Sequence, residues 1–213
     1  YKGLCGSYNI ISGLEAAYNG CCGDNNIISG YQAGYSRLTG HNNIVSGYQA
    51  GYNHCGGVNN IISGNQAAYA GCCSDSNLIL GTEAAYNGCC GDNNIILGYR
   101  AAYNGCCSEN NIILGYQAAQ FCNGTLNIVL GSSAAQVEMS GQSNIIMGAN
   151  AAAEGCGGDD NIILGRNAAY QGCPNDSNII LGNETAYQNF NNSYNNIILG
   201  RKAAYNNCSQ MVY

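Results

Sequence analysis

Charge is what this chain has least of. Lys plus Arg number six and Asp plus Glu twelve, 8% of 213 residues, where ordinary soluble domains carry about 25%. The net charge is −6. With so few cations no basic patch can form, which argues against nucleic acid and anionic membrane as partners. No apolar run approaches the roughly 18 residues of a membrane-spanning helix. Tryptophan is absent and proline occurs once. Two histidines and no CxxC pair leave little material for a zinc site. Disorder is also disfavoured, because 46% of residues are apolar. The chain begins at Tyr1 with no visible signal peptide, so it reads as a mature product, a fragment or the ordered part of a longer chain.

What is present in excess is repetition. A glycine closes the same apolar triplet at Gly13, Gly30, Gly47, Gly64, Gly81, Gly98, Gly115, Gly131, Gly148, Gly165, Gly182 and Gly200. The spacing is 17 six times, then 16, then 17 three times, then 18. With "NNIILG" filling positions one to six, position two is Asn throughout: Asn9, Asn26, Asn43, Asn60, Asn77, Asn94, Asn111, Asn127, Asn144, Asn161, Asn178 and Asn196. Position three is Ile except Leu78, position four is Ile or Val, and position nine is Ala except Thr185. Position eleven is usually Tyr, as at Tyr18, Tyr35, Tyr52, Tyr69, Tyr86, Tyr103, Tyr170, Tyr187 and Tyr205.

This pattern predicts an all-β fold: a single domain over residues 1–213, built as a parallel β-solenoid of about twelve 17-residue coils with partial repeats at both ends. Two short strands per coil are expected, near positions two to five and seven to eleven, with turns at six and at twelve to seventeen. Glycine at six suits a backbone that side-chain-bearing residues resist. One coil buries about five small side chains, at roughly 1.5–3 kcal/mol each. Ordering its backbone costs on the order of 1–2 kcal/mol per residue. Only stacking offsets that cost. Stacked coils would align the position-two asparagines into an internal ladder, each amide reaching a carbonyl of the next coil.

Of the 14 cysteines, all but Cys122 fall on two repeat positions. Position fourteen holds Cys21, Cys55, Cys72, Cys89, Cys106, Cys156, Cys173 and Cys208, with Cys122 one place off. Its other occupants, Leu4, Leu38, Met139 and Phe190, are apolar, which reads as inward. Position fifteen holds Cys5, Cys22, Cys73, Cys90 and Cys107, elsewhere replaced by turn residues such as Ser140 and Gly157, which reads as outward. Coils about 4.8 Å apart bring equivalent cysteines within disulfide range. The candidate bridge residues are Cys5, Cys22, Cys72, Cys73, Cys89, Cys90, Cys106 and Cys107, of undetermined connectivity. Bridges would imply an oxidising compartment.

Positions three and four are both apolar, and adjacent strand residues face opposite ways. One must face the coil's own core while the other needs a cover. A second copy of the chain supplies it by lateral, threefold association; a bend turning both residues inward is the alternative.

The stretches "NNIILGYQAA" (110–119) and "NNIVSGYQAGY" (42–52) resemble repeats in the heads of trimeric autotransporter adhesins. They are also similar to the NNxxxGxxAG-type repeats of phage and large-virus fibres. The resemblance covers nearly the whole chain. In the adhesin heads it implies a parallel β-roll trimerised along its length, with a repeat near fourteen residues. This chain departs from that pattern with seventeen residues and many cysteines.

No catalytic constellation is visible and no enzyme activity is expected. His41 and His54 read as surface turn residues. Acidic residues recur at the coil boundary: Asp24, Asp75, Asp92, Glu109, Asp159, Asp160 and Asp176. They read as a solvated edge, with calcium as the alternative and no other cofactor. Glycosylation sequons start at Asn123, Asn175, Asn183, Asn191 and Asn207. The leading functional expectation is a structural, adhesive fibre segment, extracellular or on a cell or virion surface. Its partners would be itself, head to tail through residues near Tyr1–Cys5 and Cys208–Tyr213 or laterally, and surface glycans. A rod surface that binds carbohydrate or ice through its tyrosines is the alternative, although Gln120, Gln136 and Ala153 interrupt that column.

Overall fold

The computed structural model describes residues 6–20, 23–36, 39–53, 56–71, 74–88, 90–105, 107–137, 139–154, 157–172, 174–188 and 194–206. It is an all-β, parallel β-solenoid whose strands recur about every 17 residues. The chain forms two compact units, Tyr1–Asn110 and Asn111–Tyr213. The first holds β1 (Ile10–Ser12), β2 (Ile27–Ser29), β3 (Ile44–Ser46), β4 (Ile61–Ser63), β5 (Leu78–Leu80) and β6 (Ile95–Leu97). The second holds β7 (Ile112–Leu114), β8 (Ile128–Leu130), β9 (Ile145–Met147), β10 (Ile162–Leu164), β11 (Ile179–Leu181) and β12 (Ile197–Leu199). Within each unit consecutive strands pair in parallel, and like sits on like: Ile10 against Ile27, Ile163 against Ile180.

Three residues per strand is short, and both ends have a local cause. Position one is left-handed in every coil, with φ between 56° and 63° from Asn195 to Ser177. Asparagine, its commonest occupant, visits that region more readily than most residues. Position six is glycine with φ between 117° and 143°, a region closed to residues with a Cβ. The approach of the next coil adds a second constraint: a Cβ on Gly47 would overlap the carbonyl oxygen of Gly64.

Among the described residues the expected second strand is absent. Positions seven to eleven form a run of turns, because φ is also positive at positions eight and ten, as at Gln32 (51°) and Ala68 (49°). This explains a fact that strand geometry cannot accommodate: the adjacent alanines at nine and ten, such as Ala84 and Ala85, are both fully buried. Left-handed alanine costs roughly 1–2 kcal/mol. The return is continued coil-to-coil bonding, since the Ala17 N–H donates to Ala33 O and the Gln32 N–H to Leu14 O, both at 2.9 Å. The core is therefore narrow. One Ile or Val from position four, Ile79 or Val129 for example, is fully buried together with the alanine pair of its coil.

Irregular coil lengths do not disturb the register. Ile112 pairs with Ile128 and Ile179 with Ile197, so the lost and gained residues are absorbed outside the strands. In the short coil, Cys122 bridges to Met139, seventeen residues on. The Ala119 N–H bonds Ala134 O, which keeps the sixteen-residue offset of that coil's strand. The deletion thus lies between Ala119 and Cys122.

Positions six and ten predict opposite outcomes for one substitution. Gly34 stands at position ten with φ +57, and an added Cβ would meet Ile28 Cγ2 at 3.6 Å, an ordinary contact. Since Ala already fills this site in other coils, Gly34→Ala should change unfolding free energy by no more than about 1 kcal/mol. Gly47→Ala should lose at least about 3 kcal/mol. Denaturant melts of the two variants check this; equal losses would contradict it.

Candidate functional site

The polar side chains form columns, and each column bonds one coil to the next. At position two the Asn43 side chain holds its neighbour at both ends. Its Oδ1 accepts from the Asn60 N–H at 2.9 Å, and its Nδ2 donates to Gly57 O at 2.9 Å. The acceptor contact recurs from Asn9 to Asn94 in the first unit and from Asn111 to Asn196 in the second. From Asn26 to Asn94 and from Asn111 to Asn196 these amides are buried. Among the described residues, the Nδ2 atoms of Asn60, Asn77 and Asn161 have no hydrogen-bond partner. The ladder is therefore richer than amide-to-carbonyl donation: within each unit, the backbone N–H of every asparagine after the first is bound by the side-chain oxygen of the asparagine before it.

The acidic residues at the coil boundary serve a related end. Asp24 Oδ1 accepts from the Ser7 N–H at 2.7 Å, Asp75 Oδ1 from Val58 and Asp92 Oδ1 from Asp75. Asp159 and Asp176 repeat the contact in the second unit. Where the column changes residue the contact survives: the Asp24 N–H donates to His41 Nδ1 at 2.9 Å. Among the described residues, no group of three or more His, Cys, Asp or Glu is placed to hold a metal ion. Among the described residues, no helix is long and apolar enough to cross a membrane.

Position eight carries a third column. Gln32 Nε2 donates to Glu15 Oε2, Gln49 to Gln32 and Gln66 to Gln49, at 2.6–2.9 Å. Two coils on, Arg100 binds Glu83 through its Nε and lies 5.1 Å from the ring centroids of Tyr99 and Tyr103.

The tyrosines stack face to face. From Tyr18 to Tyr103 successive centroids lie 4.8–5.1 Å apart, with interplanar angles of 4–8°. Tyr170, Tyr187 and Tyr205 continue this in the second unit. Ring faces inside a stack are covered by neighbouring rings, so edges and hydroxyls remain outward. Sugar stacking needs a ring face, which the interior tyrosines do not present. Desolvation, then the charge of the flanking phenols, pushes Tyr35 and Tyr86 above the ordinary phenol value; Tyr187 is raised in the same way.

The cysteine assignment changes. Cys90 and Cys107, expected to point outward from position fifteen, are 2% and 1% exposed. Met139 at position fourteen is also buried, and Ser140 beside it is exposed. Burial at position fifteen thus differs between coils, and the turn residues that fill it elsewhere do not decide it. Cys122 is buried against Met139. The other candidate bridge residues, Cys5, Cys22, Cys72, Cys73, Cys89 and Cys106, lie outside the described residues, as do His54, Asn191, Asn207 and the two terminal segments. Of the remaining sequons, Asn123 is exposed while Asn175 and Asn183 are half-buried.

Positions three and four point opposite ways, as alternation requires, and the bend that would turn both inward does not occur. Ile62 is fully buried while Ile61 is 41% exposed. An apolar column runs along the outer strand face of each unit.

Comparison with protein-family models, curated proteins and solved structures finds no match to this chain.

The amide clamp is testable by one atom. Asn43→Asp keeps the acceptor for Asn60 N–H. Only the protonated acid can still donate to Gly57 O. Burial and the facing carbonyl raise its folded-state pKa above the unfolded value near 3.9. Stability is then full below about pH 3.9 and falls as pH rises toward the folded pKa. The variant should melt below the parent at pH 7 by about 2 kcal/mol or more, and the gap should narrow at pH 4. A pH-independent gap would refute the clamp. For the tyrosines, raised folded values mean that stability present below about pH 10 declines above it. Absorbance titration of Tyr35→Phe against the parent should show the loss of a late-titrating phenol.

Proposed function

We propose that this chain is a structural segment of a fibre, exposed on a cell or virion surface, whose work is mechanical cohesion and attachment. The observation that carries the reading is the direction of its polar contacts. The amides of position two, the carboxylates of position seventeen, the Gln column and the tyrosine stacks all join a coil to its neighbour. Such contacts resist peeling along the stack and add no chemistry toward a small molecule. The resemblance to adhesin-head and viral-fibre repeats supports the same reading, as do the sequons, of which Asn123 is exposed. Self-association of copies, end to end or side by side, would build the fibre.

Two measurements test it. Negative-stain microscopy of the native assembly should show filaments or stalks; compact monodisperse particles would count against it. Pulled from its ends, the chain should open by coils. Releasing 17 residues at about 3.3–3.6 Å each, less the ~4.8 Å coil rise, gives steps of about 50–55 Å or multiples of that. A single rupture with no smaller step would be inconsistent with coil-wise cohesion.

A further inference from the structure

The outer strand faces of the two units differ in composition. In both, position three is an outward Ile or Leu. Position five is Ser12, Ser29, Ser46 and Ser63 in the first four coils. In the second unit it is Leu114, Leu130, Met147, Leu164, Leu181 and Leu199. That face therefore presents two unbroken apolar columns with no charge in them, half-exposed to exposed throughout. Six rungs at about 4.8 Å by about 10 Å of strand give roughly 300 Å² per partner. A stable interface needs about 800 Å². The face alone is too small to fix a complex, so its flanks must contribute.

The flanks are oppositely charged. Beside the start of the strands lie Asp159, Asp160 and Asp176, and beyond their ends lie Arg166 and Arg201, both exposed. Glu184 sits near Arg166 (3.8 Å) and Lys202 (3.3 Å), and leaves that flank net positive. Rotating a second copy about an axis parallel to the coil stack sets its acidic flank opposite the basic flank of the first. Arg166 and Asp160 belong to the same coil, so they meet at one height. Rotation about an axis along the strands would instead set acid against acid and base against base. Like charges so placed oppose association.

We propose that the strand face of the second unit docks a second copy of this chain in parallel, apolar columns together and Arg166 facing Asp160 of the other copy. This rests on the fibre reading and names its lateral contact. Because the area is small, association is reversible and concentration-dependent.

Sedimentation velocity of the full chain over a wide concentration range tests it. Leu130→Ser with Leu164→Ser should weaken self-association at least tenfold. Folding is retained, since four coils of the first unit carry Ser at the same position, and circular dichroism confirms it. Arg166→Asp should weaken association several-fold, and adding Asp160→Arg should restore it. A parent that stays monomeric, a Leu→Ser variant that associates normally, or an Arg166→Asp variant that associates more tightly would overturn the proposal. Filaments of unchanged width from the Leu→Ser variant would overturn this contact alone and leave the fibre reading standing. Compact particles from both parent and variant would remove the fibre reading itself.

Discussion

Each coil lies against a near copy of itself. In an in-register parallel stack, a side chain meets its own equivalent at the ladder spacing of about 4.8 Å. Every residue choice must then be compatible with a row of identical residues. Asparagine satisfies this because its side-chain oxygen accepts from the main-chain N–H of the next asparagine while its NH2 donates to a carbonyl, so Asn26 binds Asn43 and Gly40 O while its own N–H is bound by Asn9. Glutamine at position eight bonds side chain to side chain, as an amide is both donor and acceptor. Tyrosine satisfies it through flat faces.

Carboxylates cannot bond to one another when ionised, and their columns show how the conflict is resolved. Asp75 and Asp92 reach the main chain of the preceding coil, where an N–H is available. Glu83 is followed by Arg100. The low charge of the chain follows from the same constraint. A stack tolerates acids only where backbone donors or a cation separate them, and most positions offer neither.

The apolar columns obey the rule on both sides of the strand. Inside, Ile and Val at position four meet alanine pairs and close the core. Outside, the residues at position three form a column exposed to solvent in varying degree. A stack of identical apolar residues is a smooth surface, and smooth apolar surfaces associate. In the first four coils serine at position five moderates it, and from Leu80 onward leucine or methionine does not.

Much of this was legible in the residues. The period, the parallel stacking, the strand at "IIL", the buried position-two asparagine and the break at "G" all follow from what twelve copies hold constant. Alternation along a strand also correctly separates Ile61 from Ile62. Where the backbone leaves the extended region, that logic stopped. Residues seven to eleven look like a strand, yet left-handed residues at eight and ten curl the chain so that two neighbouring alanines face inward. Past them, residue type no longer decides burial, and Cys90 and Cys107 turn in where the turn residues at equivalent positions had placed them outside. Composition thus determines which residues stack upon which, because identity along the axis is a property of the sequence alone. The sign of φ within each coil decides which way they point, and it is settled by hydrogen bonds to the coils on either side, which only the folded stack supplies.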